Sequence, residues 1–269
     1  MAGIKHACEA RDNQAALYLG LNVEWSMAEA LKVGRVSPYT LTEKTMEFLK
    51  PLLLSQSYIA SVHSLEAEMP QIYDGWCAAV STKDPVIVGE WYRTHQEIID
   101  LDKHHCYPVG LPCGNIFRSN FYMYPDMACD LSKRWLDVRA LPHGRIVVNR
   151  TLRCRNQSIS YAFLKKYLNE ITFVGLLEEY EDFFNNVGRC DHILCYNAHE
   201  IAELIEGARF FIGNQSLCFS IAEALKVPRI LEVCSELPNV IPVGKNAFDF
   251  LYQGPFEYYV DKLYNGKED

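Results

Sequence analysis

The sequence predicts an α/β protein in which a parallel sheet is covered by helices, divided into two domains of which the second is the more regular. Three observations carry this prediction. From Arg145 onward, short apolar runs alternate with helix-period segments and almost no spacer, an alternation that closes as parallel strands joined by helical crossovers. RIVVN, ITFVG, HILCY, RFFIG and RILEV give five such strands, enough for a parallel sheet covered on both faces. A Pro- and Gly-bearing stretch, DVRALPHG at 137–144, precedes the regular part and marks the division into domains 1–140 and 141–269.

Residues 1–140 read less regularly. Ile4, Ala7 and Ala10 interleave with Lys5, His6, Glu9 and Arg11 at helical spacing. The chain thus opens on a helix where an apolar strand and a Gly-bearing turn are the usual start. Either a first strand is missing or this half is built differently. ALYLGLNVE and YIASVHSL predict strands. TEKTMEFLKPLLLSQ between them predicts a helix, and Pro51 is expected to bend it and start a second short one. DPVIV and EIIDLD are further strand candidates, and 103–125, rich in Pro, Gly, Cys and aromatics, reads as a long loop lining a cleft.

In residues 141–269 the first strand is RIVVN, and Ser158 is expected to open a helix whose Ile159, Ala162, Phe163 and Tyr167 share a face. ITFVG, the charged helix LLEEYEDFFNN and the strand HILCY follow. Asn197 stands three residues before Glu200 in a capping-box arrangement, ahead of a helix lined by Ile201, Leu204, Ile205 and Ala208. RFFIG then leads through the polar tripeptide Asn214-Gln215-Ser216 into a helix bearing Leu217, Ile221, Ala224 and Leu225 on one side, which Pro228 stops before RILEV. Gly213 suits a tight turn, and Asn214 or Ser216 can cap the first helical amides. A polar turn from strand end to helix start gathers free N–H groups at the positive helix end, where phosphate is held.

Composition narrows the class. A chain of 269 residues, 49% hydrophobic, has enough apolar material for substantial cores. The net charge of −8 argues against bulk nucleic-acid binding. No window is long and apolar enough for a transmembrane segment, and the opening MAGIKHACEARDN lacks the apolar core of a secretory signal, so a soluble, cytoplasmic protein is expected. The ten cysteines contain no CxxC pair and read as reduced packing residues. The densest ligand cluster is His104, His105, Cys106 and Cys113. Adjacent histidines on an extended chain point to opposite sides, so no metal site is expected. The absence of a GxGxxG fingerprint after any strand speaks against a dinucleotide-dependent dehydrogenase.

The stretch NAHEIAELIEGARFFIGNQSLCFSIAEALKVPRILE resembles the donor-binding half of GT-B glycosyltransferases, in particular the ADP-heptose:lipopolysaccharide heptosyltransferase group. The likeness lies in the strand ending in Gly, the polar turn, the Ala-rich helix and the Val-Pro step, and extends more faintly to FLKPLLLSQSYIASV. It implies two Rossmann-like domains in GT-B architecture, with residues 141–269 binding a nucleotide sugar. It also implies an inverting, metal-independent sugar transfer from a nucleotide-diphosphate donor, used as substrate rather than cofactor, to a glycan, lipid-linked or other hydroxyl acceptor. Gly213, Asn214, Gln215, Ser216 and Leu217 would form the phosphate-facing turn, although Gln215 and Leu217 depart from the usual Asp, Ser or Thr and Gly. The loop NRTLRCRNQS would bring Arg150, Thr151, Arg153 and Arg155 to the phosphates from the opposite side, and Glu232 at the end of RILE would meet the ribose. Glu178 and Glu179 are secondary candidates for the nucleoside. The family's base is an Asp or Glu of the first half, often in a Gly-Asp turn that is not evident here. Asp12, His95, Asp100 and Asp102 stand as candidates. The competing readings are a non-catalytic nucleotide-sugar binder and a sugar-nucleotide epimerase of the same shape.

Overall fold

Residues 1–12, 14–20, 42–65, 77–81, 106–109, 130–234 and 240–266 are described by the computed structural model. They form two units: Met1–Asp130 with Trp135–Asp137, and Leu131–Arg134 with Val138–Asp269. In the first unit, Ala2–Arg11 (α1) buries Ile4 and Cys8 and ends at Asp12, whose φ of 47° puts it in the left-handed region. Ala15–Gly20 (β1) pairs in parallel with Ile59–Leu65 (β2) and antiparallel with Cys77–Ser81 (β3), which pairs antiparallel with Cys106–Val109 (β4). The sheet order is β2-β1-β3-β4. β3 is absent from the sequence reading, and β4 lies in the stretch read as loop; Pro108 and the Ala-rich CAAVS give both a weak strand signal. The candidates DPVIV and EIIDLD lie outside the described residues.

Glu43–Leu54 (α2) is one continuous helix with Pro51 inside it, where the sequence suggested a break. Pro51 sits in the last turn with an exposed ring and forgoes its own amide hydrogen bond, while Leu49, Leu52 and Leu53 bury the other face and hold the helix together. Thr42 caps the start by accepting the Thr45 amide at 3.3 Å. After α2 comes the buried Gln56, which accepts the Asp137 amide at 2.8 Å and donates to the Asp137 carbonyl at 3.2 Å. That exchange fastens Trp135–Asp137 to the first unit.

The second unit is built on Ile146–Asn149 (β5), Ile171–Val174 (β6), Asp191–Ile193 (β7), Phe210–Asn214 (β8), Arg229–Glu232 (β9) and Ala247–Phe250 (β10). All pairings are parallel and the order is β10-β9-β8-β5-β6-β7. β5, β6, β8 and β9 are buried at every position, whereas the edge strand β7 is not. That is the burial of strands covered on both faces, and in β9 it takes the charged Arg229 and Glu232 inside as well. Leu177–Asn186 (α3), Ala198–Glu206 (α4), Leu217–Leu225 (α5) and Gln253–Asn265 (α6) complete it. β10 and α6 have no counterpart in the sequence reading, because AFDF carries an acid and Gly254-Pro255 imitates a turn.

Between β5 and β6 the expected α-helix from Ser158 is a 3-10 helix over Ala162–Glu170. Ser158 belongs to a turn in which its amide donates to Asn156 Oδ1 at 3.0 Å. Tyr161, Leu164 and Tyr167 are buried at intervals of three, the repeat of a 3-10 helix. These residues join Phe173, Phe183, Phe210, Ile212, Phe250 and Phe256 in one core, where Phe250 stacks on Phe256 with centroids 4.2 Å apart. Each such side chain contributes roughly 1.5–3 kcal/mol on burial.

Candidate functional site

In the second sheet the strand order reverses between β5 and β8: the chain proceeds from β5 outward through β6 and β7, then returns to β8 and proceeds the other way through β9 and β10. At such a reversal the connections leaving neighbouring carboxyl ends diverge, and the crevice between them is where open α/β sheets bind ligands. Buried polar side chains gather here: Asn149, Asn156, Glu179, Asn214 and Glu232 are each at most 8% exposed.

The turn after β8 forms one wall. Gly213 lies within the strand, paired with Asn149, and its need for glycine is one of space: a Cβ would fall 2.7 Å from the Asn149 carbonyl oxygen. Ser216 is the N-cap of α5, its Oγ accepting the Phe219 amide at 3.3 Å. The Ser220 amide bonds the Ser216 carbonyl, which leaves the Leu217 and Cys218 amides in a first turn that offers them no helical carbonyl. Gln215 Oε1 accepts the Cys234 amide at 2.7 Å, tying the turn to the segment after β9. Asn214 does not cap. Its fully buried side chain accepts the Thr151 amide at 2.9 Å and donates toward the carbonyls of Thr151, Arg153 and Cys154.

The loop after β5 forms the facing wall, and its arginines divide. Arg150 makes a two-pronged ion pair with Glu232, Nε to Oε2 at 2.8 Å and Nη2 to Oε1 at 2.9 Å, and lies over the Tyr161 ring at 4.4 Å. Burial is the largest influence and works against its charge, but the Glu232 hydrogen bond together with the charges of Tyr161, Glu232 and Asp182 outweighs it and the guanidinium pKa is raised. Glu232 also accepts the Asn156 amide at 2.7 Å, and with no exposed surface it faces the loop rather than the crevice. Arg155 bonds Asp182 at 2.6 Å and the carbonyls of Thr151 and Arg150. Arg153 is exposed, and its guanidinium makes no hydrogen bond or ion pair with any described residue.

Glu179, in the first turn of α3, is a buried carboxylate at this crevice. Its Oε2 accepts the Leu176 amide at 3.0 Å, and a Cβ on Gly175 would fall 2.6 Å from that oxygen and 3.0 Å from Asn149 Nδ2. Burial pushes its pKa up against the opposing pull of the Leu176 amide, Arg155 and Arg153. Glu178 beside it is exposed. Leu152, Leu176, Leu177, Leu194 and Tyr196 stand exposed at the same edge. Burial also raises the thiol of Cys218, well above the ordinary range, and that of Cys195, to about 11.

Gly213, Asn214, Gln215, Ser216 and Leu217 are therefore brought together with Arg150, Thr151, Arg153 and Arg155, while Asp12 stops a helix of the first unit. His95, Asp100 and Asp102 lie outside the described residues, as do His104, His105 and Cys113. Asn149 escaped the sequence reading, although a polar residue ending the apolar run RIVVN was its visible mark. Among the described residues no three His, Cys, Asp or Glu side chains converge as a metal site, and no helix is long and apolar enough to cross a membrane. No protein-family model matches this chain, and no curated protein matches it.

Proposed function

We propose that this chain is a glycosyltransferase of GT-B type that takes its sugar from a nucleoside-diphosphate donor and passes it, with inversion and without a metal, to a hydroxyl acceptor. One observation carries the reading: the Leu217 and Cys218 amides, for which the helix has no carbonyl, open α5 at the strand-order reversal, across from a loop whose Arg153 keeps its guanidinium unengaged by described residues. Negative charge grows on the diphosphate as the glycosidic bond breaks. Amides at the positive helix end and a guanidinium stabilise that charge more than they stabilise the bound donor. Glu179 replaces Glu232 as the acceptor for ribose hydroxyls, since both Glu232 oxygens are occupied by Arg150. The exposed apolar rim of Leu176, Leu177 and Tyr196 offers a surface to the base.

A non-catalytic nucleotide-sugar binder is the second reading, and the placement of Asp12 as a helix stop favours it. Calorimetric titration with the common nucleoside diphosphates and their sugar conjugates tests the site. Arg153→Ala should weaken binding ~10- to 100-fold, the worth of one charge-assisted hydrogen bond, with an unchanged melting temperature. No heat with any of them refutes the donor site. Binding without release of nucleoside diphosphate in the presence of an acceptor pool selects the binder.

A further inference from the structure

The strands on either side of the reversal both end in asparagine, and each asparagine serves the other strand's connection. Asn149, the last residue of β5 and 1% exposed, donates from Nδ2 to the Val174 carbonyl at the end of β6 at 2.8 Å. A carbonyl only accepts, so this bond turns Asn149 Oδ1 toward Ser216, whose hydroxyl donates to it at 2.9 Å. With its proton spent there, the Ser216 oxygen presents lone pairs to the Phe219 amide. Asn214, the last residue of β8, reaches the opposite way and holds the Thr151–Cys154 loop through its carbonyls and the Thr151 amide. The partners lie 67 positions apart in the first case and 60–63 in the second, so neither bond follows from local turn chemistry.

We infer that Asn149 is a positioning residue of the donor site: as Asn214 holds the facing loop, Asn149 locks the hydroxyl of Ser216 and thereby the first-turn amides of α5 in the orientation that receives the diphosphate. This rests on the donor site proposed above. A fixed cap means that the cradle needs no reorganisation when charge appears.

The discriminating variant is Asn149→Asp. Ionised, it keeps an acceptor for Ser216 but loses the donor to Val174 and sets a negative charge behind the anion cradle. Protonated, it restores one donor and one acceptor in the positions of the amide. Glu179 of α3 lies beside it across Gly175, and Glu179 in turn feels Glu178, Cys218 of α5 and the loop residues Arg153 and Arg155. All are present in the wild type too, so each affinity is referred to the wild type at the same pH. Titrated with whichever nucleoside diphosphate the wild type binds, Asn149→Asp should be weakened by at least about tenfold at pH 8 and return to within about threefold at pH 5.5. A constant deficit across pH, or wild-type affinity at pH 8, overturns the inference while leaving the donor site standing. A wild type that binds no nucleoside diphosphate overturns both. Should Asn149→Asp not fold, the cycle of Asn149→Ala, Ser216→Ala and the double variant decides. The double should bind no more weakly than the worse single, and additive losses overturn the inference.

Discussion

Glu232→Gln separates a carboxylate that organises the loop from one that waits for a ligand. The side chain of Glu232 is fully buried and that of Arg150 is 12% exposed, and they meet through two hydrogen bonds of 2.8 and 2.9 Å. Neutralising the acid leaves a guanidinium inside the protein without its counter-charge, a change worth about 3–5 kcal/mol. At roughly 3 °C per kcal/mol for a unit of this size, the thermal midpoint should fall by on the order of 10 °C. Differential scanning calorimetry of the wild type and Glu232→Gln reads this directly. Removing both charges with Arg150→Met and Glu232→Leu should recover most of the loss, because an apolar pair of similar volume replaces a buried ion pair at little cost. The residue of the loss would come from the Asn156 amide, whose only acceptor in the pair is Glu232 Oε1, at about 1–3 kcal/mol. A Glu232→Gln midpoint within about 2 °C of wild type, accompanied by lost donor affinity, would refute this reasoning and return Glu232 to the ligand.

Gly213→Ala should destabilise the second unit by about 1–3 kcal/mol in a denaturant melt, since its Cβ would press on the main-chain oxygen of Asn149, which cannot move without opening the β5–β8 ladder; an unchanged midpoint would show that the strands can part freely. Glu179→Gln tests the buried acid at the crevice through pH. Its folded pKa is raised chiefly by burial, so the folded chain holds the proton more tightly than the unfolded one. Stability from this group is therefore complete below the unfolded carboxylate range and declines as pH rises through the raised folded value. The variant should melt above wild type at pH 7–8, and the difference should vanish by about pH 4; a constant or reversed difference would remove Glu179 from its buried setting.

Much of the second sheet could be read from residue order. The segments 146–149, 171–174, 210–214 and 229–232, alternating with helix-period stretches, are strands of a parallel sheet buried on both faces. The caps at Asn197 and Ser216 were legible because an N-cap depends on residues three apart. The 3-10 helix was misread because Ile159, Ala162, Phe163 and Tyr167 fit a 3.6-residue repeat almost as well as Tyr161, Leu164 and Tyr167 fit one of three. Pro51 was misread because a proline forgoes its own amide bond and crowds the carbonyl four residues back, a cost this helix absorbs through the burial of Leu49, Leu52 and Leu53.

The three loop arginines show where residue order stopped being informative. Spacing placed Arg150, Arg153 and Arg155 at one strand end, as equals. Their division into two internal anchors and one exposed cation follows from Glu232, 82 positions from Arg150, and Asp182, 27 from Arg155. Local patterning thus specified which segments are strands and helices and where polar groups meet a helix start, because those features depend on neighbours a few residues away. The sheet order that sets β5 beside β8, and the pairing that buries Glu232 while leaving Arg153 exposed, emerged only from folding, because both depend on which distant strands share a ladder and which charges lose water together.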